Sequence, residues 1–270
     1  MSYLNQFIEK CQATFTKDRS SEVKVAKDYL SSRGISDDSI EIHKIGYCLK
    51  SESIPDEIKF YGKPSGSFDS NGNGHSYSIL GRIVVPIYSE FSTLVGFATR
   101  KPSLEPGNTW WNLSSPFKKG EHLFLLNKTR RNIFEKNKIY LVEGYIDAII
   151  LYQEGIKEVA ALMGIHLTSR KIGLIARYCD NICLCLDVDE NNSGQKGRDK
   201  AIHALRDFNF QKSISIIDLP VGEDPDIYVI NEGISSLLEK EKVLSKSEIK
   251  EISKKILMQR RKNKGGYAGR

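Results

Sequence analysis

The hydrophobic pattern of this chain changes character near residue 138. Upstream, "SEVKVAKDYLSSRGIS" carries apolar positions at helical spacing and ends at Arg33-Gly34, a helix stop. "DDSIEIHKIGYC" predicts a second short helix running into a strand. "GRIVVPIYSEFSTLVGFATRK" holds two apolar runs around a polar turn near Ser89–Ser92, which predicts a β-hairpin. Residues 62–78, rich in Gly, Ser and Asn, read as a loop, and so do residues 102–120 with Pro102, Pro106 and Pro116.

From Lys138 onward, short apolar runs alternate with amphipathic ones. "KIYLVEG" predicts a buried strand, "YIDAIILYQEG" a short helix closed by Gly155, and "IKEVAALMG" a second strand. "HLTSRKIGLIARYC" predicts a helix with Thr168 or Ser169 as its N-cap. "NICLCLDVD" reads as a strand, "KGRDKAIHALRDF" as an amphipathic helix and "KSISIIDLP" as a strand. Such alternation, with near-continuous apolar strands, implies an α/β fold whose parallel sheet is covered by helices on both faces. Residues 231–258 read as one or two polar helices before a basic end.

Charge sharpens this division. The net charge is +6, but residues 254–270 hold seven Lys or Arg and no acid. Residues 59–138 carry 12 basic and 5 acidic residues, whereas residues 139–230 carry 9 and 14. A basic half beside an acidic half suits a protein that holds a polyanion on one side and metal ions on the other; ordinary surface variation gives the same totals. The 270 residues suffice for one large domain or two small ones, and 40% hydrophobic content supports a packed core. No apolar run approaches the ~20 residues that span a bilayer, and "MSYLNQFIEK" has no signal-peptide pattern. Cys11, Cys48, Cys179, Cys183 and Cys185 form no C-x-x-C pair; Cys183 and Cys185 alternate on a strand and read as core packing. A soluble protein of a reducing, cytoplasmic compartment is expected.

In a parallel α/β sheet, functional groups gather at the carboxyl ends of the strands. Glu143 ends the first strand of the block, and Gly144 permits a tight turn with close backbone approach. Asp187 and Asp189 end the third strand with i, i+2 spacing, which puts both on one face. Asp224 and Asp226 follow the fourth in "LPVGEDPD". Taken singly, each has a plainer reading as a cap, a surface charge or a turn. Together they bring five carboxylates to one sheet edge, and such a cluster calls for cations; hard oxygen ligands suit Mg²⁺ or Mn²⁺.

"LVEGYIDAI", "ALMGIHLT", "LCLDVDENNSGQKGRDKA" and "LPVGEDPDIYVINEG" resemble the Toprim domain of DnaG-type bacterial and phage primases. Upstream, "RGISDDSIEIHKIGYC" resembles the opening of the primase RNA-polymerase domain, and "GRIVVPIYSEFSTLVGFATR" and "WNLSSPFKKGEHLFLLN" its basic subdomain. The resemblance covers roughly residues 25–235 in family order. Topoisomerases and some nucleases share Toprim, but the upstream motifs are particular to primases. The resemblance implies an N-terminal basic α+β subdomain at 1–137, a Toprim domain at 138–230, and a short helical segment with basic tail at 231–270.

It also implies roles. Glu143, Asp187 and Asp189 match the family's catalytic metal-binding acids, and Asp224 and Asp226 its further acidic pair. Asp147 matches another family acid that supports the cluster, or serves as a first-turn helix charge. Arg82, Arg100 and Lys119 match positions associated with template or nucleotide phosphates, and Asn112 lies in the family's "N-S-P" segment, here "NLSSP". Family members commonly carry a Lys just before that Asn. Here Thr109, Trp110 and Trp111 stand there, leaving Lys101 or Lys118 to take the phosphate contact, or the Trp pair to stack on bases or pack in the protein. The loop after Asp189, "ENNSGQKGR", is longer than in many bacterial primases, and Arg198 then starts the next helix within reach of a triphosphate.

No residues fit the family's zinc module, so no zinc is expected. The resemblance thus implies a stripped, phage-like polymerase core that makes RNA primers from ribonucleoside triphosphates on a single-stranded DNA template. A replicative helicase or a separate zinc-bearing template-recognition protein is the implied partner. The competing readings are a Toprim-type nuclease and a single-stranded DNA-binding accessory subunit.

Overall fold

A computed structural model describes residues 2–52, 79–104, 110–112, 117–187, 193–208, 210 and 213–265. The loop expected at 62–78, Thr109, Asp189 and the last five residues lie outside that set. The chain divides into two compact units, Met1–Lys119 and Gly120–Arg270. Among the described residues, no helix is long and apolar enough to cross a membrane.

The first unit opens with helix α1 (Tyr3–Lys17), which the pattern reading passed over although Phe7, Ile8, Cys11 and Phe15 form a buried stripe along it. Helices α2 (Ser21–Ser32) and α3 (Asp37–Ile42) follow; Ser36 Oγ caps α3 by accepting the Ser39 N–H. An antiparallel sheet runs in the order β1 (Gly46–Cys48), β2 (Arg82–Tyr88), β3 (Leu94–Arg100), β4 (Trp111–Asn112). The expected hairpin is β2–β3, with Ile83 opposite Arg100 and Pro86 opposite Phe97. Its turn is closed by the Ser89 N–H on the Thr93 carbonyl, 2.8 Å. Part of the expected 102–120 loop is strand instead, because Trp111 pairs with Thr99 and Asn112 with Ala98.

The second unit holds helix α4 (Leu126–Lys136) and a five-stranded sheet of order β6-β5-β7-β8-β9. Its strands are β5 (Lys138–Val142), β6 (Val159–Ala161), β7 (Asn181–Leu184), β8 (Ser213–Ile217) and β9 (Glu241–Val243). The first four are mutually parallel, as expected. β9 is antiparallel to β8 and replaces part of the expected C-terminal helices. The other helices are α5 (Tyr145–Gln153), α6 (Ser169–Ile175), α7 (Ser193–Asp207), α8 (Pro225–Glu239, kinked at Gly233) and α9 (Lys246–Gly265).

Alternation along the strands divides the unit's interior. Ile139, Leu141, Ile182, Leu184, Ile214 and Ile216 join one apolar core with Leu126 and Ile133 of α4, Ile172 of α6, and Ile202 and Leu205 of α7. This is why the division falls at Lys119/Gly120 rather than at 137/138: α4 buries its apolar stripe in the second core. The intervening residues Tyr140 and Ser215 project from the opposite face. There Glu241 accepts hydrogen bonds from Lys138 Nζ (2.6 Å), Ser215 Oγ (2.6 Å) and Tyr140 Oη (3.1 Å), pinning the edge strand β9 across the sheet. Cys183 and Cys185 are buried free thiols, as expected of core packing.

Candidate active site

The parallel register sets the geometry of the acidic end. Leu141 on β5 lies opposite Leu184 on β7, which lies opposite Ile216 on β8. Each strand therefore delivers its next residues to the same sheet edge. β5 continues into Glu143-Gly144, β7 into Asp187, and β8 into Asp218 and then Asp224, the N-cap of α8. Asp226 sits in the first turn of that helix and is fully buried, and α8 packs on α5.

Asp147 stands in the first turn of α5, and its Oδ2 accepts the Gly144 N–H at 2.8 Å. That contact explains the Glu-Gly pair. A Cβ at residue 144 would lie 2.7 Å from Asp147 Oδ2, so only glycine lets the chain turn this closely after Glu143. Burial, then the negative charges of Asp187, Asp226 and Asp224, push the Asp147 carboxyl well above the ordinary carboxylate range, while the Gly144 hydrogen bond pulls it down. Four carboxylates thus share one electrostatic neighbourhood, a pattern that marks functional sites.

Of the five carboxylates expected at this edge, four are among the described residues. Asp187, Asp224 and Asp226 are brought together around Asp147, Glu143 closes the strand beside them, and Asp189 lies outside the described residues. Among the described residues, no three Asp, Glu, His or Cys side chains form a ready-made ion-holding group. The donor chemistry is nonetheless all hard oxygen, which fits Mg²⁺ or Mn²⁺.

Arg198 departs from the expectation. α7 begins at Ser193, so Arg198 lies a turn and a half inside the helix rather than at its start. Its side chain is buried and paired with Asp218 and Gln195. Asp218 was missed, though it carries the same strand-end signal as the other acids. Lys171 was missed as well; it is a buried cation in the first turn of α6, where the helix dipole disfavours positive charge.

In the first unit, Arg82 also differs from the phosphate-contacting cation expected of it. It is 1% exposed; its Nε donates to Thr99 Oγ1 at 3.0 Å and its Nη2 to the Thr99 carbonyl at 3.3 Å. Its guanidinium lies 3.6 Å from the centre of the Trp111 ring, so one indole of the Trp pair packs on a cation. Burial, then the charge of Arg100, lower its pKa to about 10. Arg100 is half-buried, 5.8 Å from the ring centres of both Tyr29 and Trp110. Asn112 is half-buried on β4, while Lys118 and Lys119 are exposed.

Comparison with known proteins places this architecture. A family model described as the DNA primase catalytic core, N-terminal domain, matches residues 14–130, and a Toprim-like model matches residues 140–229. A DNA primase of Rickettsia felis is 36% identical over 220 residues, which span 76% of this chain and 36% of that protein. The chain therefore spans about a third of the length of the curated relatives it matches. The crystal structure of the Aquifex aeolicus primase, comprising zinc-binding and RNA-polymerase domains, superposes with a TM-score of 0.72 at 25% identity, covering 89% of this chain and 60% of that one. A DnaG primase catalytic domain bound to single-stranded DNA superposes with a TM-score of 0.69 at 24% identity, over 88% and 79% of the two chains, a likeness of fold.

Proposed function

The chain belongs to the DnaG-type DNA primase family, whose catalytic core it spans, and from that premise we propose that it synthesises short RNA primers on single-stranded DNA. The observation that carries this reading is the gathering of Asp187, Asp224 and Asp226 around Asp147 at the carboxyl ends of parallel strands. Such a group of like charges is relieved by a shared proton, as on the raised Asp147 carboxyl, or by bound cations. Glu143, Asp187 and Asp189 are the residues proposed to hold divalent ions, Mg²⁺ or Mn²⁺, with Asp224 and Asp226 as a further pair. Bound there, the ions would activate a hydroxyl nucleophile and neutralise phosphate charge.

The chemistry proposed is nucleotidyl transfer: the 3′-hydroxyl of one nucleotide attacks the α-phosphate of the next, and pyrophosphate leaves. Asp147 holds the Gly144 turn and so fixes the main chain that carries Glu143. Arg100, Asn112, Lys118 and Lys119 are assigned to phosphates, which they grip without reading sequence. Arg82, sealed between Thr99 and Trp111, keeps β3 and β4 in register for them. Arg198 orders the start of α7 through Asp218 and Gln195. A single-stranded DNA template, ribonucleoside triphosphates and a replicative helicase or zinc-bearing template-recognition protein are the partners this reading assigns.

The test is incorporation of labelled nucleotides on single-stranded DNA with Mg²⁺ or Mn²⁺, for wild type and Asp187→Ala. Metal-dependent short products that disappear in the variant are expected. Wild type that neither starts products nor extends a pre-annealed primer would overturn the proposal. A nuclease reading leaves the primase-type region at 14–130 without a role.

A further inference from the structure

The loop between β6 and α6 is folded over the end of β5. The Leu162 N–H donates to the Val142 carbonyl at 2.9 Å, and the Gly164 N–H donates to the Glu143 carbonyl at 3.1 Å. Between them the backbone turns sharply, with Met163 and Gly164 both at positive φ (60° and 134°). The loop's other side meets α7: a Cβ on Gly197 would lie 3.4 Å from Ile165 Cβ, so the helix that follows Asp187 rests on this loop through a glycine. The loop thus touches the main chain of Glu143 and the helix that follows the Asp-x-Asp strand.

Lys171 holds this loop in place. It is 2% exposed, and its Nζ donates to the Leu162 carbonyl and to the His166 carbonyl, the latter at 3.4 Å. Its own N–H donates to Thr168 Oγ1, the N-cap of α6, and Thr168 Oγ1 donates to the Gly120 carbonyl at 2.6 Å. A buried ammonium in the first turn of a helix is opposed by both desolvation and the helix dipole. Its hydrogen bonds to the two carbonyls that bracket the loop offset that cost.

We propose that Lys171 is a positioning residue, whose buried ammonium clamps the Leu162–His166 loop against Glu143 and α7 and so pre-sets the carboxylates for divalent-ion binding. This rests on the metal-dependent reading of the acidic site given above. Residues that orient metal ligands from behind typically change metal affinity 10–100-fold when removed.

The test is a Mn²⁺ titration of the full chain, with free ion followed by electron paramagnetic resonance. Lys171→Met should raise the Mn²⁺ dissociation constant about tenfold or more, and Lys171→Arg, which keeps a charged donor, should stay within about threefold of wild type. In primer synthesis the Lys171→Met defect should be recovered by raising Mn²⁺. A folded Lys171→Met protein with a lowered melting point but wild-type Mn²⁺ affinity would overturn the proposal, because a purely structural role predicts that result. Should Lys171→Met fail to fold, Ile165→Ala decides: Ile165 is partly exposed, and trimming its seat on Gly197 should weaken Mn²⁺ several-fold, while unchanged affinity overturns the idea. Wild type without saturable Mn²⁺ binding would overturn both this proposal and the metal-dependent reading; wild-type binding that Lys171→Met retains overturns this one alone.

Discussion

Gly144→Ala isolates what the Glu-Gly pair contributes. The backbone at 144 (φ −103°, ψ 171°) is open to alanine, so conformational strain adds nothing. The whole effect comes from the new methyl group 2.7 Å from Asp147 Oδ2, the same oxygen that accepts the Gly144 N–H. Asp147 is buried among Asp187, Asp224 and Asp226, so it has no solvent to swing into. Moving aside breaks this partly buried hydrogen bond, which costs about 1–3 kcal/mol. Overpacking costs about 1–3 kcal/mol in well-packed interiors. With partial relaxation we expect about 2–4 kcal/mol in total. At about 2–4 °C per kcal/mol, a thermal melt in EDTA followed by circular dichroism should fall by roughly 4–16 °C. In an Asp147→Ala background the same substitution should be worth under about 0.5 kcal/mol, because its collision partner is gone. Gly144→Ala that melts within about 1 °C of wild type would refute the reasoning, and so would an equal penalty in both backgrounds.

Gly173→Ala in α6 should act in the opposite direction, raising stability by about 0.5–1 kcal/mol in a urea titration, because its Cβ would meet only Phe208 at an ordinary 3.8 Å. Glu241 gives a pH signature. Burial acts to raise its pKa, but the hydrogen bonds from Lys138, Ser215 and Tyr140 outweigh it, and the carboxyl lies below its ordinary value. Its contribution should be full above the unfolded-state value of about 4.3 and lost as pH falls through the depressed folded value, so the gap in melting temperature between wild type and Glu241→Gln should close on acidification. A gap independent of pH would contradict this. Thr99→Val removes the acceptor for buried Arg82 Nε and should cost about 1–3 kcal/mol by chemical denaturation; no loss would mean that the Thr99 carbonyl and Trp111 suffice.

Much of the second unit was legible because its strands are nearly all apolar and its helices are capped by recognisable residues. Thr168 does cap α6, and Glu143 and Asp187 do follow their strands, while Asp224 and Asp226 open a helix. What escaped reading was tertiary in origin. β9 is three residues long and partly exposed; it is a strand because Glu241 is tied to three residues of β5 and β8, an arrangement that no local periodicity announces. β4 exists because Trp111 and Asn112 pair with β3, and Trp111 covers a buried arginine. Arg82 and Arg198 were read as phosphate-contacting cations because residue type alone does not disclose a partner such as Thr99 or Asp218. Helix α1 was legible in principle, since Phe7, Ile8, Cys11 and Phe15 follow helical spacing.

The division into two units has an optical consequence. The chain has two tryptophans, Trp110 and Trp111, and both belong to the unit that ends at Lys119. Indole emission is therefore a label for that unit alone, whereas peptide circular dichroism sums over both. Denaturation curves recorded in the two ways will coincide if the units melt together and separate if each melts on its own. The independence of the two units can thus be tested in one cuvette, with no dye attached.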